Sequence, residues 1–415
     1  MKLSLFGRLT MALLASAALG LGMTACGGGT IGYMWVLGQQ YNQIAGFKID
    51  DYTGNLTTVP TSPFSSGGAM PVSIVVKTGG RFVYVIDQGT GGSNTAAGSG
   101  QAIVEYAVGG DGTLTYQDTY QTQGYVSEWA QMDATGTYLM VLDKYAPVNP
   151  STKAPSTNGA ITVFSSDPTT GRLSLVTNSQ TQVNNLNTYY WNVGVSPSML
   201  KVAGSCVFAL NQGDQSISPF SVGASGQLTV VQTGTQLLHT TSATSITGNS
   251  TYVYVTDSNG GSSTTNYIYP FTIGSSCTLT SVTGGAINQG SFGLGVVDPT
   301  YTIVDNSGKY LYVLNQANTN TTSQVPYSSI SAYTISSVNG QLAPIAGAPY
   351  TVGSGPVCMV EDTSNQYIYV SNHNDGTITG KVIDPTTGNL SNLSRGATFT
   401  ASGEASCLVL SGAVS

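Results

Sequence analysis

Charge is the scarcest property of this sequence. Of 415 residues, 12 are Lys or Arg and 19 are Asp or Glu, so only 7% are charged. Helix-rich enzymes need more charge to solvate their outer faces, whereas abundant Gly, Thr, Ser, Asn and Tyr suit strands and turns. The net charge is −7, and no run of Lys or Arg occurs. Nucleic acid is therefore excluded as a partner, because phosphate binding needs a basic patch. Histidine appears twice and cysteine five times, with no C-x-x-C pair. That argues against a structural zinc site or a redox motif, and no cofactor is implied. HExxH, G-x-S-x-G and phosphate-loop signatures are missing as well.

One apolar run stands out, at the start. Lys2 and Arg8 precede Leu9–Leu21, too short to span a bilayer comfortably, and small residues then lead to Cys26. The segment resembles a bacterial lipoprotein signal. On that reading residues 1–25 are the signal, Cys26 is lipidated, 26–30 are a Gly-rich tether and 31–415 are one exported domain held at the cell envelope. The other cysteines, Cys206, Cys277, Cys358 and Cys407, then lie in a disulfide-permissive compartment.

What is abundant is repetition. YVYVTD at 252–257 has near-copies FVYVID (82–87), YLMVLD (138–143), CVFALN (206–211), YLYVLN (310–315) and YIYVSN (367–372). Each is followed by Ile-x-x-aromatic, as in IVEY at 103–106 and ISAY at 330–333, except that ITGK at 378–381 lacks the aromatic, and then by Gly-x-Leu, as in GTL at 112–114 and GQL at 340–342. In the fifth copy Cys277 replaces that Gly. A short strand and tight turn precede each YVYV strand from the second unit on. The unit is thus strand A, turn, strand B, loop, strand C, hairpin, strand D. Seven such units of ~50 residues predict an all-β, seven-bladed propeller of four-stranded antiparallel blades. The first unit lacks strand A, and EASCLVLSG at 404–412 reads as a lone strand A that completes blade 1 and closes the ring. Pro219 and Pro270 fall inside C strands, where a local bulge is expected.

Spacing separates two faces. From the C-strand Ile to the D-strand Leu the distance is 11 or 12 residues in every unit. From the end of strand B to the C-strand Ile it is 6, 16, 18, 6, 11, 15 and 6. All length variation therefore falls on one rim, the expected working face. Candidate ligand-binding residues there are Asp87, Asp143, Asp257, Trp129, Trp191, His373 and Glu404. Glu128 and His239 are the candidates for acid–base chemistry, since a carboxylate or imidazole can move a proton. Each has a plainer reading: Asp at a strand end caps turns, and a lone His on a loop is a solvated surface group.

The strands SGKYLYVLN (307–315) and GGRFVYVID (79–87), with ISAYTISSVNGQL (330–342), resemble the seven-bladed lactonase family, the 6-phosphogluconolactonase-type and YVTN-repeat propellers. The resemblance covers residues 31–412. It implies activity at the central channel, with a His near the top of an inner strand. Glu128 stands at that position here, and no Arg lies in an inner strand. Two functions follow: a binding or scaffold module presenting the variable rim to a glycan, peptide or protein, or a lactone hydrolase using Glu128 or His239. A monomer anchored to the membrane through Cys26 is expected, with no metal. The repeat register places Cys358 and Cys407 on the closing A strands, and Cys206 and Cys277 at one end of adjacent blades. The expected disulfides are 358–407 and 206–277.

Overall fold

The computed structural model describes residues 29–149, 152–231, 236–237, 240, 242–258, 266–282, 284–285, 287–288, 298–316 and 328–412. Seven antiparallel sheets follow one another around an axis, each in the order A–B–C–D from the inside out. Blade 1 joins the two ends of the chain: strand A, Ala405–Gly412, pairs with strand B, Thr30–Gly38, through partners such as Trp35 and Val409. Among the described residues, helix is limited to the single 3-10 turn Gln39–Tyr41.

The hydrophobic core is divided into seven wedges, one between each pair of adjacent blades. Val141 and Leu139 of blade 3, for example, pack with Tyr84 and Ile86 of blade 2. The repeated six-residue stretch of each B strand is buried, as in Tyr252–Asp257, with Tyr138 alone half-buried. This explains the repeated hydrophobic writing: a strand buried on both faces loses the polar half of its alternation.

The third residue of the B strand then acts as a clip. Trp35 Nε1 and the Tyr84, Tyr254, Tyr312 and Tyr369 hydroxyls donate to the carbonyls of Gly112, Gly171, Gly340, Gly388 and Gly54, at 2.5 to 3.1 Å. Each acceptor is the Gly of the Gly-x-Leu turn in the next blade. That Gly has φ near +70° (71° at Gly340), and a Cβ on Gly340 would sit 2.5 Å from the Tyr252 ring. Glycine is needed both for the left-handed backbone and for the ring lying on it.

Blades 4 and 5 join differently. The first B-strand position, usually aromatic, is Cys206, and the turn Gly is Cys277, still left-handed at φ 63°. Their sulfurs are bonded, with Cα atoms 5.4 Å apart. The disulfide occupies the place of the ring-on-glycine contact. Cys358 and Cys407 are buried free thiols whose sulfurs touch at 2.6 Å, so the expected 358–407 bond is not formed.

The expected bulges at Pro219 and Pro270 are absent: the B–C ladders run without a shift through Phe208–Pro219 and Tyr254–Pro270. The reason lies on the outer side. A short fifth segment pairs with the start of each C strand, and strand D with its end. Both prolines fall in the gap between them, where no N–H is required. Their carbonyls still accept from Val231 and Val282. At the same place blade 1 has Gly46, whose N–H needs the Ser62 hydroxyl.

Candidate functional site

The A strands line the axis, and each enters from the variable-loop rim through a one-residue bulge. The extra residues are Val72, Glu128, Ser198, Thr244, Thr300 and Val357 in blades 2 to 7, and the closing strand has its own shift before Leu408. Bulges re-aim side chains near sites. Of those six residues only Glu128 carries charge.

Glu128 is three-quarters covered and lies 3.9 Å from the Lys144 ammonium. Burial pushes its carboxyl up to about 7; Lys144 draws it back down, and Asp143 adds to the rise. A half-ionised carboxylate at neutral pH beside a cation suits general-base work. Lys144 is a departure from its own repeat. In three other blades the residue after the B-strand end reaches the A strand of the next blade: Gln88 donates to the Ser127 carbonyl, Gln212 to that of Ala243, and His373 Nδ1 lies 3.3 Å from the Ala405 carbonyl. Lys144 instead turns to the bulge of its own blade.

Asp143 beneath the pair is fully buried. It accepts from Gly124 N–H and the Ser127 and Thr162 hydroxyls, yet burial still lifts it to about 6. Asp87 and Asp257 are likewise 0% and 1% exposed. Asp257 accepts from the Ser242 N–H, and Asp87 lies beside Ser66 and Gly68 with its carboxyl raised by burial to about 7. Asp143 and Asp257 therefore cap the entry to strand A from inside the fold, and none of the three carboxylates is exposed on the rim.

Both tryptophans are likewise displaced from the rim surface. Trp191 is 3% exposed, paired against Ile161 in the core between blades 3 and 4. Trp129 reaches across the axis and packs on Tyr301 of blade 6, ring centroids 6.0 Å apart. His373 and Glu404 do meet on the rim, 3.7 Å apart at the seam between blades 7 and 1. His239 and Cys26 lie outside the described residues. Among the described residues no cluster of His, Cys, Asp and Glu could hold a metal ion.

Sequence reasoning overlooked Lys144 and Tyr301. The signal for Lys144 was available: it is the sole cation at the position following the B-strand end, where the chain elsewhere writes Gln39, Gln88, Gln212, Ser258, Gln316 and His373. Tyr301 occupies in blade 6 the repeat position of Trp129 in blade 3, but nothing in the spacing shows that rings three blades apart meet.

The family described as "Lactonase, 7-bladed beta-propeller" matches the chain over residues 30–186 and 302–409. No curated protein matches it. Among solved structures, a putative 6-phosphogluconolactonase from Bacteroides fragilis is similar at 15% identity and a TM-score of 0.66, covering 92% of this chain and 98% of that one. The periplasmic gluconolactonase of Pseudomonas aeruginosa is similar at 15% identity and 0.65, covering 92% and 99%. A protein from Lactobacillus plantarum aligns at 13% and 0.66, covering 92% and 100%. At such identities the likeness of these structures is one of fold.

Proposed function

The chain belongs to the seven-bladed β-propeller lactonase family, and we propose that it hydrolyses a lactone at the variable-loop mouth of the channel. The observation that carries this reading is the Glu128–Lys144 pair at the blade 3 bulge. Ionised Glu128 takes a proton from a water, whose oxygen adds to the lactone carbonyl carbon. The Lys144 ammonium stabilises the charge that develops on the carbonyl oxygen. The ring C–O bond then breaks, and the departing oxygen recovers the proton from Glu128, giving a hydroxy acid. Burial of Glu128 supports the assignment, since it holds a base near the working pH that an exposed carboxylate would not provide.

A rim that only binds a glycan, peptide or protein is less well supported. Asp87, Asp143, Asp257 and Trp191 are buried, which leaves His373 and Glu404 as the exposed members of the candidate set. Export to the envelope through a lipidated Cys26 is part of the proposal. The Cys206–Cys277 disulfide supports an oxidising compartment.

The test is hydrolysis of a panel of aldonolactones, free and phosphorylated, followed by proton release and corrected for spontaneous opening. Turnover should fall at least ~100-fold in Glu128→Gln. Equal activity in that variant, or none above background in the native protein, would sink the hydrolase and leave the binding role. For the anchor, Cys26→Ala should move the protein out of the membrane fraction.

A further inference from the structure

The Trp129–Tyr301 contact divides the channel. On the loop side lies the bulge ring with Glu128. On the opposite side is a cavity of about 390 Å³ with Trp129 and Tyr301 in its wall and none of the bulge residues lining it. Thr78, Asp133 and Asn306, from A–B turns, also border it, so its mouth lies on the short-turn face. That volume is within the range of small-molecule pockets.

The wall is part apolar and part polar: Val360 and Val409 border it beside Trp129 and Tyr301, as do Gln131, Asp133 and Glu361, with one cation, Lys201, on the A strand of blade 4. Among the described residues neither of the two ion pairs involves Lys201, and no hydrogen bond engages its ammonium. Its surroundings act on it through burial alone, which lowers it to about 8, still mainly protonated at neutral pH. Two acids also border the cavity, each hydrogen-bonded at an A–B turn. Asp133 caps its own turn through Thr135, Thr137 and Tyr138, and Glu361 accepts from the Asn306 N–H and is itself raised by burial to about 7. A cation taken from water without a counter-ion is costly, and an anion entering the cavity would remove that cost. The aromatic and aliphatic side chains beside this ammonium suit an anion with an apolar body.

We infer that the short-turn side of the channel is a second binding site, for a small organic carboxylate whose apolar part lies against Trp129 and Tyr301 and whose carboxylate pairs with Lys201. The site is separate from the Glu128–Lys144 mouth and does not depend on hydrolysis there.

Calorimetry with benzoate and hexanoate, against benzyl alcohol and hexanol of matching shape, tests it. The carboxylates should bind at least tenfold more tightly than the alcohols. Lys201→Met should remove that preference, and Lys201→Arg should keep most of it. Val409→Phe fills the cavity without touching the charge and should weaken acid and alcohol alike, which preserves the test if Lys201→Met does not fold. Glu128→Gln should bind the carboxylates as the native protein does. Equal affinity for acid and alcohol, unchanged binding in Lys201→Met or Val409→Phe, or no binding at millimolar probe would overturn the inference.

Discussion

The hydroxyl of Tyr254 donates to the carbonyl of Gly340, 2.9 Å away and 86 residues further along the chain. One hydrogen bond thus ties the second strand of blade 5 to the outer turn of blade 6. Its counterparts recur at four other blade junctions, so the repeated Tyr and the repeated Gly are two halves of one contact.

Loss of either half should destabilise the ring by different routes. Tyr254→Phe leaves a buried carbonyl unpaired, at about 1–2 kcal/mol. Gly340→Ala forces a left-handed alanine against the Tyr252 ring, where a Cβ would be 2.5 Å from the nearest atom. That should cost about 2 kcal/mol or more. Denaturant midpoints should rank the native protein above Tyr254→Phe, and that above Gly340→Ala; a neutral Gly340→Ala refutes the account.

The disulfide substitutes for the same contact between blades 4 and 5. Cys206→Ala with Cys277→Gly should lose about 2–4 kcal/mol. Cys206→Tyr with Cys277→Gly rewrites the junction in the manner of its neighbours and should recover part of that loss. Thiol titration should count two free thiols in the unfolded, non-reduced domain lacking its leader. Four would show that the bond is absent.

Lys144 holds the Glu128 carboxyl down against burial. In Lys144→Met the carboxyl should therefore titrate higher, and the acid limb of the pH–rate profile should move upward from about 7. An unmoved limb would assign the base elsewhere.

Six carboxyls among the described residues are raised by burial: Asp87, Glu128 and Glu361 to about 7, Asp143 to about 6, and Glu105 and Asp298 in the same direction. Unfolded, such groups titrate near 4. The folded state therefore holds more protons between roughly pH 4 and 7, and its stability falls as pH rises through that window. Melting temperature should be higher at pH 5 than at pH 8, and Asp87→Asn should reduce the difference. A flat or rising curve contradicts this.

Trp129→Ala removes half of the partition across the axis. It should cost about 2–3 kcal/mol, less than a fully buried tryptophan, and remove the indole signal change when benzoate enters the channel. An unaltered signal would place the ligand elsewhere.

The sequence by itself determined blade number, strand order and ring closure, because those signals are local. Alternation, a left-handed Gly after a hairpin and a missing first strand can be read within ten residues, and each recurs often enough to be checked against its copies. It also singled out Glu128, a carboxylate standing where the family resemblance implies a His; that this position is a bulge came from the structure. Tertiary structure decided which residues face what. Asp87, Asp143 and Asp257, legible as strand ends, are buried beside the bulges rather than exposed on the rim, and Trp129 crosses the axis to Tyr301. Both side chains hold the same repeat position, the residue after the bulge, but that periodicity does not say that they touch. They meet because closing seven sheets into a ring brings opposite blades within a ring's breadth, a distance that no spacing along the chain encodes.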